Sequence, residues 1–482
     1  MLHRFCSLAL AGLLAFTSSC AEPAAPNVTQ TAIAGEETVI LLADSGVTVD
    51  GQAVSTDPAA AVYVGGEIIY YHDNTDQTYG EGEEGEKHAA AEAAAHTLLT
   101  ITQPGTYRLS GALSQGQIAV DLGEEATDDP SAVVTLVLDN ASVKCTVAPA
   151  LIFYNVYECD RDFVSYEKGE NAGYQASSSV DTSAAGANII LAAGSENTFT
   201  GSHVARIYAP GTTDNLHRYD GAVYSRMSMN IEGDNGDDTG VLRVVADNEG
   251  LDTELHLTLN GGSIRIDSQD DGINTNEDNV SVTTINGGSL TVNAGNGAEG
   301  DGIDSNGWLV INGGSIVTLS NDRSPDGGID ADRDILVNGG TLAAYGVRND
   351  PVSAGSAQTF LEFSLSSPLS QGSALELKDT EGNLLWSDTA QRSHQSLTLS
   401  LPGLASDGDY QLYVDGVLQE QNSAGHGHGP RPGDGQRPPE PPEGFDPSQE
   451  GERPQPPEGF DPGQRKGDGP RGGRDESTPS DT

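Results

Sequence analysis

The sequence predicts an all-β protein built as a β-solenoid, a coil of short strands in which each turn adds one layer. Three observations lead to this prediction. The 482 residues include 60 glycines but only 5% aromatic residues, a composition that suits short strands joined by many turns. An Asn-Gly-Gly-Ser/Thr motif recurs every 26 residues. Columns of aliphatic residues recur with the same period, which is typical of a stacked repeat.

The repeated motifs begin at Asn260, Asn286, Asn312 and Asn338. Equivalent side chains of neighbouring layers should stack about 4.8 Å apart inside the coil, and the glycines permit positive φ in the turns. One layer cannot bury its apolar face alone, so we expect a continuous stack with capped ends. The aliphatic columns are Leu259, Ile285, Ile311 and Val337; Ile264, Leu290, Ile316 and Leu342; and Leu257, Thr283, Leu309 and Ile335.

Changes in composition divide the chain into five segments. We expect a lipoprotein-type signal peptide at residues 1–20 and an N-terminal β segment at 21–96, which acts as a cap and ends in a short helix at 86–96. The solenoid follows at 97–350 and a small β subdomain at 351–421. Residues 422–482 are rich in Pro, Gly and acidic residues and contain PPEGFDP twice. This tail cannot bury a core and is predicted to be disordered.

The N-terminus has the features of a secretory signal. Arg4 precedes an uncharged apolar run at 5–16, and small residues lead to Cys20. The run is too short to span a bilayer as a helix. Cys20 stands where a bacterial lipobox has its lipidated cysteine, although Thr17 replaces the usual Leu. We therefore expect a lipid anchor on the outer face of a bacterial membrane; ordinary cleavage nearby, giving an extracellular protein, is the alternative.

Two cysteines, Cys145 and Cys159, remain outside the predicted signal peptide. In an exported chain a pair of cysteines is expected to form a disulfide. The alternative is two buried free thiols. Neither belongs to a Cys-x-x-Cys motif, so a zinc site or redox catalysis is not expected.

The charge of the chain excludes one large class of partners. There are 72 Asp and Glu residues against 23 Lys and Arg, which gives a formal net charge of −49. Such a surface repels phosphates, so nucleic acid is not expected as a partner. A protein with several membrane spans is excluded too, because only the first twenty residues hold a long apolar run.

An acidic ladder accompanies the repeat. After the inward-facing residues Leu251, Ile273, Ile303 and Ile329 come Asp or Asn residues that should point outward, and further acids such as Glu249 precede the glycines. Stacked carboxylates repel one another unless protons or cations intervene, and ligands with oxygen atoms only suit Ca²⁺. A solvated acidic face is the alternative. The predicted calcium ligands are Asp252, Asp271, Asn274, Asp301, Asp304, Asn306, Asp326, Asp330 and Asp332.

These features resemble a family of bacterial secreted carbohydrate-binding domains. The matching segments are ITQPGTYRLSG (101–111), QIAVDLG (117–123), ENTFTG (196–201), GAVYSR (221–226) and the DGI[DN]…INGGS layers. The resemblance implies a right-handed, calcium-binding parallel β-helix with a pectate-lyase-like fold. It also implies a non-catalytic role in binding polysaccharides, including acidic sugars of plant cell walls. Asn274 and Gly327 depart from the acidic pattern, so a single calcium site could be missing.

Residues for sugar contact or catalysis are few. Trp308 should face outward near the ladder as a stacking platform, unless it packs beneath a loop. Arg323 and Arg333 flank the ladder and could contact a bound carboxylate, or simply pair with neighbouring Asp. Residues 250–345 contain no Lys that could act as the base of a lyase. We therefore expect a surface protein that binds polysaccharide through calcium; a polysaccharide lyase and a structural or adhesion lipoprotein are the alternatives.

Overall fold

Short β-strands, most of them paired in parallel, make up nearly all of the regular structure. The computed structural model describes residues 37–72, 84–208 and 215–423, all of them within a compact unit of residues 1–427. The predicted signal peptide with Cys20, and the tail from residue 424 onward, lie outside the described residues. Among the described residues, no helix is long and apolar enough to cross a membrane.

The elements follow one another along the chain in three parts. The first part contains β1 (Thr38–Leu42), β2 (Thr48–Val49), β3 (Gln52–Ala53), β4 (Val62–Val64), the 3₁₀ turn Glu84–Glu86, α1 (Ala90–Ala93), β5 (Thr97–Ile101), β6 (Gly105–Leu113), β7 (Gly116–Asp121), the 3₁₀ turn Glu124–Asp128, β8 (Val134–Lys144), β9 (Leu151–Asn155) and α2 (Arg161–Glu167). The central part contains β10 (Ala187–Leu191), β11 (Glu196–Gly201), β12 (Val204–Tyr208), β13 (Asn215–Tyr219), β14 (Gly221–Ser225), β15 (Met229–Gly233), β16 (Val241–Ala246), β17 (Glu249–Thr253), β18 (Leu257–Leu259), β19 (Ser263–Asp267), β20 (Ile273–Thr275), β21 (Val282–Ile285), β22 (Ser289–Asn293), β23 (Ile303–Ser305), β24 (Trp308–Ile311), β25 (Ser315–Leu319), β26 (Asp330–Ala331), β27 (Ile335–Val337) and β28 (Thr341–Gly346). The last part contains β29 (Phe360–Ser364), β30 (Ala374–Asp379), β31 (Leu384–Thr389), β32 (Ser396–Ser400), β33 (Asp409–Val414) and β34 (Val417–Ser423).

The central strands form three parallel stacks. The first stack runs β10, β15, β18, β21, β24, β27, and the second runs β11, β16, β19, β22, β25, β28. The third stack runs β5, β7, β9, β14, β17, β20, β23, β26. The chain visits the stacks in turn, so each passage adds one strand to each. The predicted all-β, mostly parallel fold is confirmed at this level.

The 26-residue repeat is the distance between neighbouring strands from β18 to β27 in the first stack and from β19 to β28 in the second. Leu259 pairs with Ile285, Ile285 with Ile311, and Ile311 with Val337. All members of the three predicted aliphatic columns are at most 3% exposed. The loops to the third stack vary in length, so its register partners from Asp252 to Asp330 are 22, 30 and 26 residues apart.

Other strands lie at the two ends of the stacks. At one end β1 pairs in parallel with β6, and β4 pairs antiparallel with β5. At the other end β32 lies antiparallel between β28 and β29. Strands β31, β30, β33 and β34 form a separate four-stranded sheet, whose core includes Leu375, Leu377 and Leu412.

Three local features differ from the sequence predictions. The helix expected at 86–96 covers only Ala90–Ala93, and its first flanking residue, Ala89, offers no side-chain cap. Two elements were not predicted. Helix α2 begins at Asp160, whose carboxylate accepts a hydrogen bond from Phe163 N, and β12 and β13 form an antiparallel hairpin.

The predicted disulfide between Cys145 and Cys159 is wrong, because both residues are free thiols. Cys145 belongs to the main core, whereas Cys159 packs against a separate cluster that contains Ala126 and Tyr157. Burial raises the pKa of the Cys145 thiol to about 11. The alternative of two free thiols is therefore correct.

Candidate metal centre

The candidate site follows the third stack through β17, β20, β23 and β26. Register partners place Asp252 beside Asn274, Asn274 beside Asp304, and Asp304 beside Asp330. Strand alternation turns this column away from the interior, as the sequence predicts. The aliphatic residues that precede it are fully buried; they are Leu251, Ile273, Ile303 and Ile329.

A second row of acids is held by backbone amides of neighbouring turns. Asp301 N donates to Asp271 Oδ1 and Gly327 N donates to Asp301 Oδ1, both at 2.6 Å. Gly300 N donates to Asp326 Oδ2 at 2.7 Å. Hydrogen bonds from amides to carboxylates are among the stronger ones in proteins. This row is therefore fixed in position by the fold itself.

Three carboxylates converge at the end of this edge nearer the N-terminus. One oxygen each of Asp220, Glu249 and Asp252 lies within 4.8 Å of the others. The three residues are 8%, 5% and 0% exposed, so Asp252 is fully buried, and the alternative of a solvated acidic face does not hold for this residue. Only Asp252 belongs to the predicted ligands. Asp220 precedes Gly221 just as Asp271 precedes Gly272, but it lies outside the 26-residue repeat that pointed to the ladder.

Four buried oxygen atoms around this triad have no hydrogen-bond partner: Glu249 Oε2, Asp252 Oδ2, Asn274 Oδ1 and Asn276 Oδ1. The amide groups beside them are already engaged. Asn274 Nδ2 donates to Glu249 Oε1 at 3.0 Å and Asn276 Nδ2 donates to Asp252 Oδ1 at 2.6 Å. Each buried acceptor without a partner costs about 1–3 kcal/mol. Carboxylate and amide oxygens are the ligands that a hard cation prefers, so this donor set fits calcium.

The electrostatics of the triad lead to the same conclusion. Burial raises the pKa of Glu249 and of Asp252 well above the usual range, and repulsion by neighbouring acids raises both further. Arg218 on β13 forms an ion pair with Asp220, and its charge offsets part of the rise in the pKa of Glu249 and of Asp252. One guanidinium does not balance three carboxylates. The triad therefore tends to take up a proton or a cation.

The remaining predicted ligands continue the ladder toward the C-terminal end of the third stack. Asp304 and Asp330 are half-buried, and burial together with Asp350 raises the pKa of Asp330 to about 8. Asn306 Nδ2 donates to Asn276 O at 2.8 Å, whereas Asp332 is exposed. These residues do not join the buried triad. They line a more open part of the same edge.

The predicted sugar-contacting residues lie in two places. The guanidinium of Arg333 lies over the ring of Trp308, 5.5 Å from its centroid, so it covers part of one ring face. Arg323 is 65% exposed, 3.9 Å from Asp322, and it donates to Gly297 O in another loop. The structure thus brings Trp308 and Arg333 together and leaves Arg323 apart from them.

The fold and the site together define a protein of stacked parallel strands that carries a buried, oxygen-rich acidic edge. The chain belongs to the family described as carbohydrate-binding domain-containing proteins, which matches residues 95–184 and 175–400. The acidic triad and the entire ladder lie within the matched residues.

The chain is also similar to a solved structure, that of a polysaccharide lyase-like protein from C. thermocellum in a gadolinium derivative. The two share 20% sequence identity with a TM-score of 0.35, over 63% of this chain and 93% of that chain. No curated protein sequence shows a significant match to the chain.

Proposed function

We propose that this protein binds polysaccharide through calcium held on its acidic edge and catalyses no reaction. Membership of a carbohydrate-binding family supports the ligand class. The four buried oxygen atoms without hydrogen-bond partners support the cation, and they are the observation that carries the proposal. Bound calcium would supply positive charge for the carboxylate or hydroxyl oxygens of a sugar.

The residues that would hold calcium fall into two groups. Asp220, Glu249 and Asp252, with the amide oxygens of Asn274 and Asn276, would hold an ion at the buried end. The open part of the edge offers further positions. These are the remaining predicted ligands Asp271, Asp301, Asp304, Asn306, Asp326, Asp330 and Asp332.

The proposal extends to architecture and location. We take the three stacks to be the faces of a right-handed parallel β-helix, and we take the protein to be exported and lipidated at Cys20. It would then be displayed on the outer face of a bacterial membrane, or released if cleavage occurs elsewhere. Incorporation of labelled fatty acid, lost in Cys20→Ser, tests the anchor.

An acidic glycan is the favoured ligand only if calcium is present. A protein with a net charge of −49 repels polyuronates, whereas calcium on the edge reverses the sign of the charge locally. Binding of polygalacturonate by the full chain should therefore require calcium. We expect binding in millimolar calcium, none in chelator, and full recovery when calcium is restored.

Two variants sharpen this experiment. Asp252→Asn removes one charge from the triad and should weaken calcium-dependent binding. Asp407→Asn removes one charge from an exposed loop far along the chain and should leave binding unchanged. Binding that survives chelation contradicts the role of calcium. Release of unsaturated oligosaccharides from polygalacturonate during the binding experiment would show a lyase instead.

A further inference from the structure

An aromatic cluster lies in the segment between β9 and β10. The rings of Tyr166 and Tyr174 are stacked, with centroids 5.6 Å apart and planes inclined by 29°. Phe163 packs edge-on against Tyr174, with centroids 5.6 Å apart, and its centroid is 6.4 Å from that of Tyr166. Phe163 is 5% exposed, but Tyr166 is 46% exposed. Among the described residues, Tyr166 is the one aromatic residue among the large exposed hydrophobic side chains.

The segment that carries these rings is held firmly. Asp160 accepts hydrogen bonds from Phe163 N at 3.0 Å and from the Tyr174 hydroxyl at 3.2 Å. Its carboxylate also lies 3.3 Å from Nε2 of His256, which is fully buried. The tyrosine pair is therefore ordered before a ligand arrives, which lowers the entropic cost of binding.

Both ends of α2 are tied to the same carboxylate. Arg161 Nη2 lies 2.5 Å and Lys168 Nζ 2.6 Å from the carboxylate of Asp128, in the turn that follows β7. Arg161 also donates to Thr127 O at 3.0 Å. These contacts fix the helix that presents Tyr166 relative to the third stack.

Acidic side chains lie near Tyr174, and one of them accepts a hydrogen bond from its hydroxyl group. Burial raises the pKa of the Tyr174 hydroxyl, and the charges of Asp160, Asp162 and Glu277 raise it further. His256, which contacts Asp160, lies between β17 and β18. The cluster thus adjoins the end of β17, a strand that carries the candidate metal centre.

We propose that Tyr166 and Tyr174 form a stacking platform for an uncharged pyranose ring of a polysaccharide. Sugar rings place apolar C–H groups on aromatic faces, and their hydroxyl groups donate to nearby carboxylates. The same carboxylates repel a uronate, so the platform selects a neutral sugar unit. Trp308 is less suited to this task because it is half-buried, whereas Tyr166 is 46% exposed. The inference rests on the proposed function only in taking carbohydrate as the ligand.

The test measures binding of neutral hexasaccharides of glucose, xylose and mannose to the full chain, with calcium and with chelator. We expect binding to at least one of them that is insensitive to chelator. Tyr166→Ala should weaken this binding by about tenfold, whereas Tyr166→Phe, which keeps the ring, should not. Leu385→Ala removes another exposed apolar side chain, on β31, and should also have no effect.

Two further measurements distinguish a planar platform from a merely apolar patch and from a loss of folding. Tyr166→Leu keeps apolar bulk without a planar face and should lose binding like Tyr166→Ala, while the calcium-induced rise in Tm stays the same in all four variants. Equal binding by Tyr166→Ala and wild type, or no wild-type binding to any neutral hexasaccharide, overturns the platform. Calcium-dependent polygalacturonate binding would then still support the proposed function. Neutral binding lost in Tyr166→Ala supports the platform even if polygalacturonate does not bind.

Discussion

Glu249 and Asp252 are buried carboxylates whose oxygen atoms are only partly satisfied by hydrogen bonds in the absence of a cation. Each has one oxygen bonded to an Asn amide and one without a partner. The unfolded chain hydrates all of these oxygens, so the metal-free folded protein loses stability at this place. A cation that binds only the folded state returns that stability by an amount that grows with the logarithm of its concentration above Kd.

Replacing Glu249 by Gln should therefore have opposite effects in two conditions. In chelator, burial and neighbouring acids raise the pKa of Glu249, so folding the wild type requires either a buried charge or the uptake of a proton. A neutral Gln avoids this cost, so the variant should be more stable than wild type in chelator by about 1–3 kcal/mol. In calcium it should gain less than wild type, because one charged ligand is lost. Thermal unfolding in both buffers measures the two effects.

Asp407→Asn is the matched control for this experiment, since it removes a charge from an exposed loop. It should shift Tm little and equally in both buffers. A Glu249→Gln variant that is destabilised in chelator as much as in calcium would show that the carboxylate is satisfied without a cation.

At the scale of single residues, the sequence predicts the column of Asp and Asn residues better than it predicts the buried triad. Regular spacing identified Asp252, Asn274, Asp304 and Asp330 as one column, because strand alternation and the repeat determine which side chains share a face. It could not identify Asp220, which enters from the end of the β12–β13 hairpin outside the repeat. Burial of Asp252 depends on such non-repeating segments, and a pattern of alternation contains no information about them.

The Asn-Gly-Gly turns are the element that joins the first two stacks. Asn286 Nδ2 donates to Asn260 Oδ1 at 2.8 Å, and Asn312 Nδ2 donates to Asn286 Oδ1 at 2.9 Å. The second glycine of each turn has positive φ, for example +76° at Gly288. A Cβ on Gly288 would collide with Gly262 O in the preceding turn. The close stacking of turns, as well as the dihedral angle, therefore requires glycine.

Two alanine variants separate these requirements. Gly194 has φ +70°, but a Cβ added there would have no atom within 4 Å, so Gly194→Ala should cost about 1 kcal/mol for the dihedral angle alone. Gly288→Ala adds a backbone clash and should cost at least about 2 kcal/mol more. Urea unfolding of both variants gives the comparison. Equal losses would mean that the turns do not stack as closely as the structure has them.

Elements outside the repeat were the least predictable. The Ala-rich stretch at 86–96 forms only one helical turn, because short helices without a side-chain cap are marginal. Helix α2 has its cap at Asp160, yet its seven residues carry no apolar periodicity long enough to be recognised. The sequence therefore predicts the stacks well and their connections poorly.

At the scale of the whole molecule, contacts between distant segments link the stacked strands to the N-terminal segment. His203, between β11 and β12, is one of them. Its Nδ1 lies 3.3 Å from Asp247 Oδ1, after β16, and its Nε2 lies 3.7 Å from Glu86 Oε1 in the N-terminal segment. Neither partner could be identified from the sequence, because 44 residues or more separate each of them from His203 in the chain.

This histidine should make global stability depend on pH above neutrality. Burial lowers the pKa of His203, but hydrogen bonds to Asp247 and Glu86 outweigh burial and raise it to about 10, against about 6.5 in an unfolded chain. Its contribution is therefore complete below about pH 6.5 and is lost as pH rises through about 10. Because both carboxylates are partly exposed, His203→Gln should lower the free energy of unfolding by only about 1 kcal/mol at pH 6. The difference from wild type should vanish near pH 10.5.

His394→Gln is the control, and urea unfolding measures both variants. Burial lowers the pKa of His394, so the effect of His394→Gln on stability should stay constant between pH 7.5 and 10.5. A His203→Gln effect that is equally constant over this range would show that the ring is neutral in the folded protein.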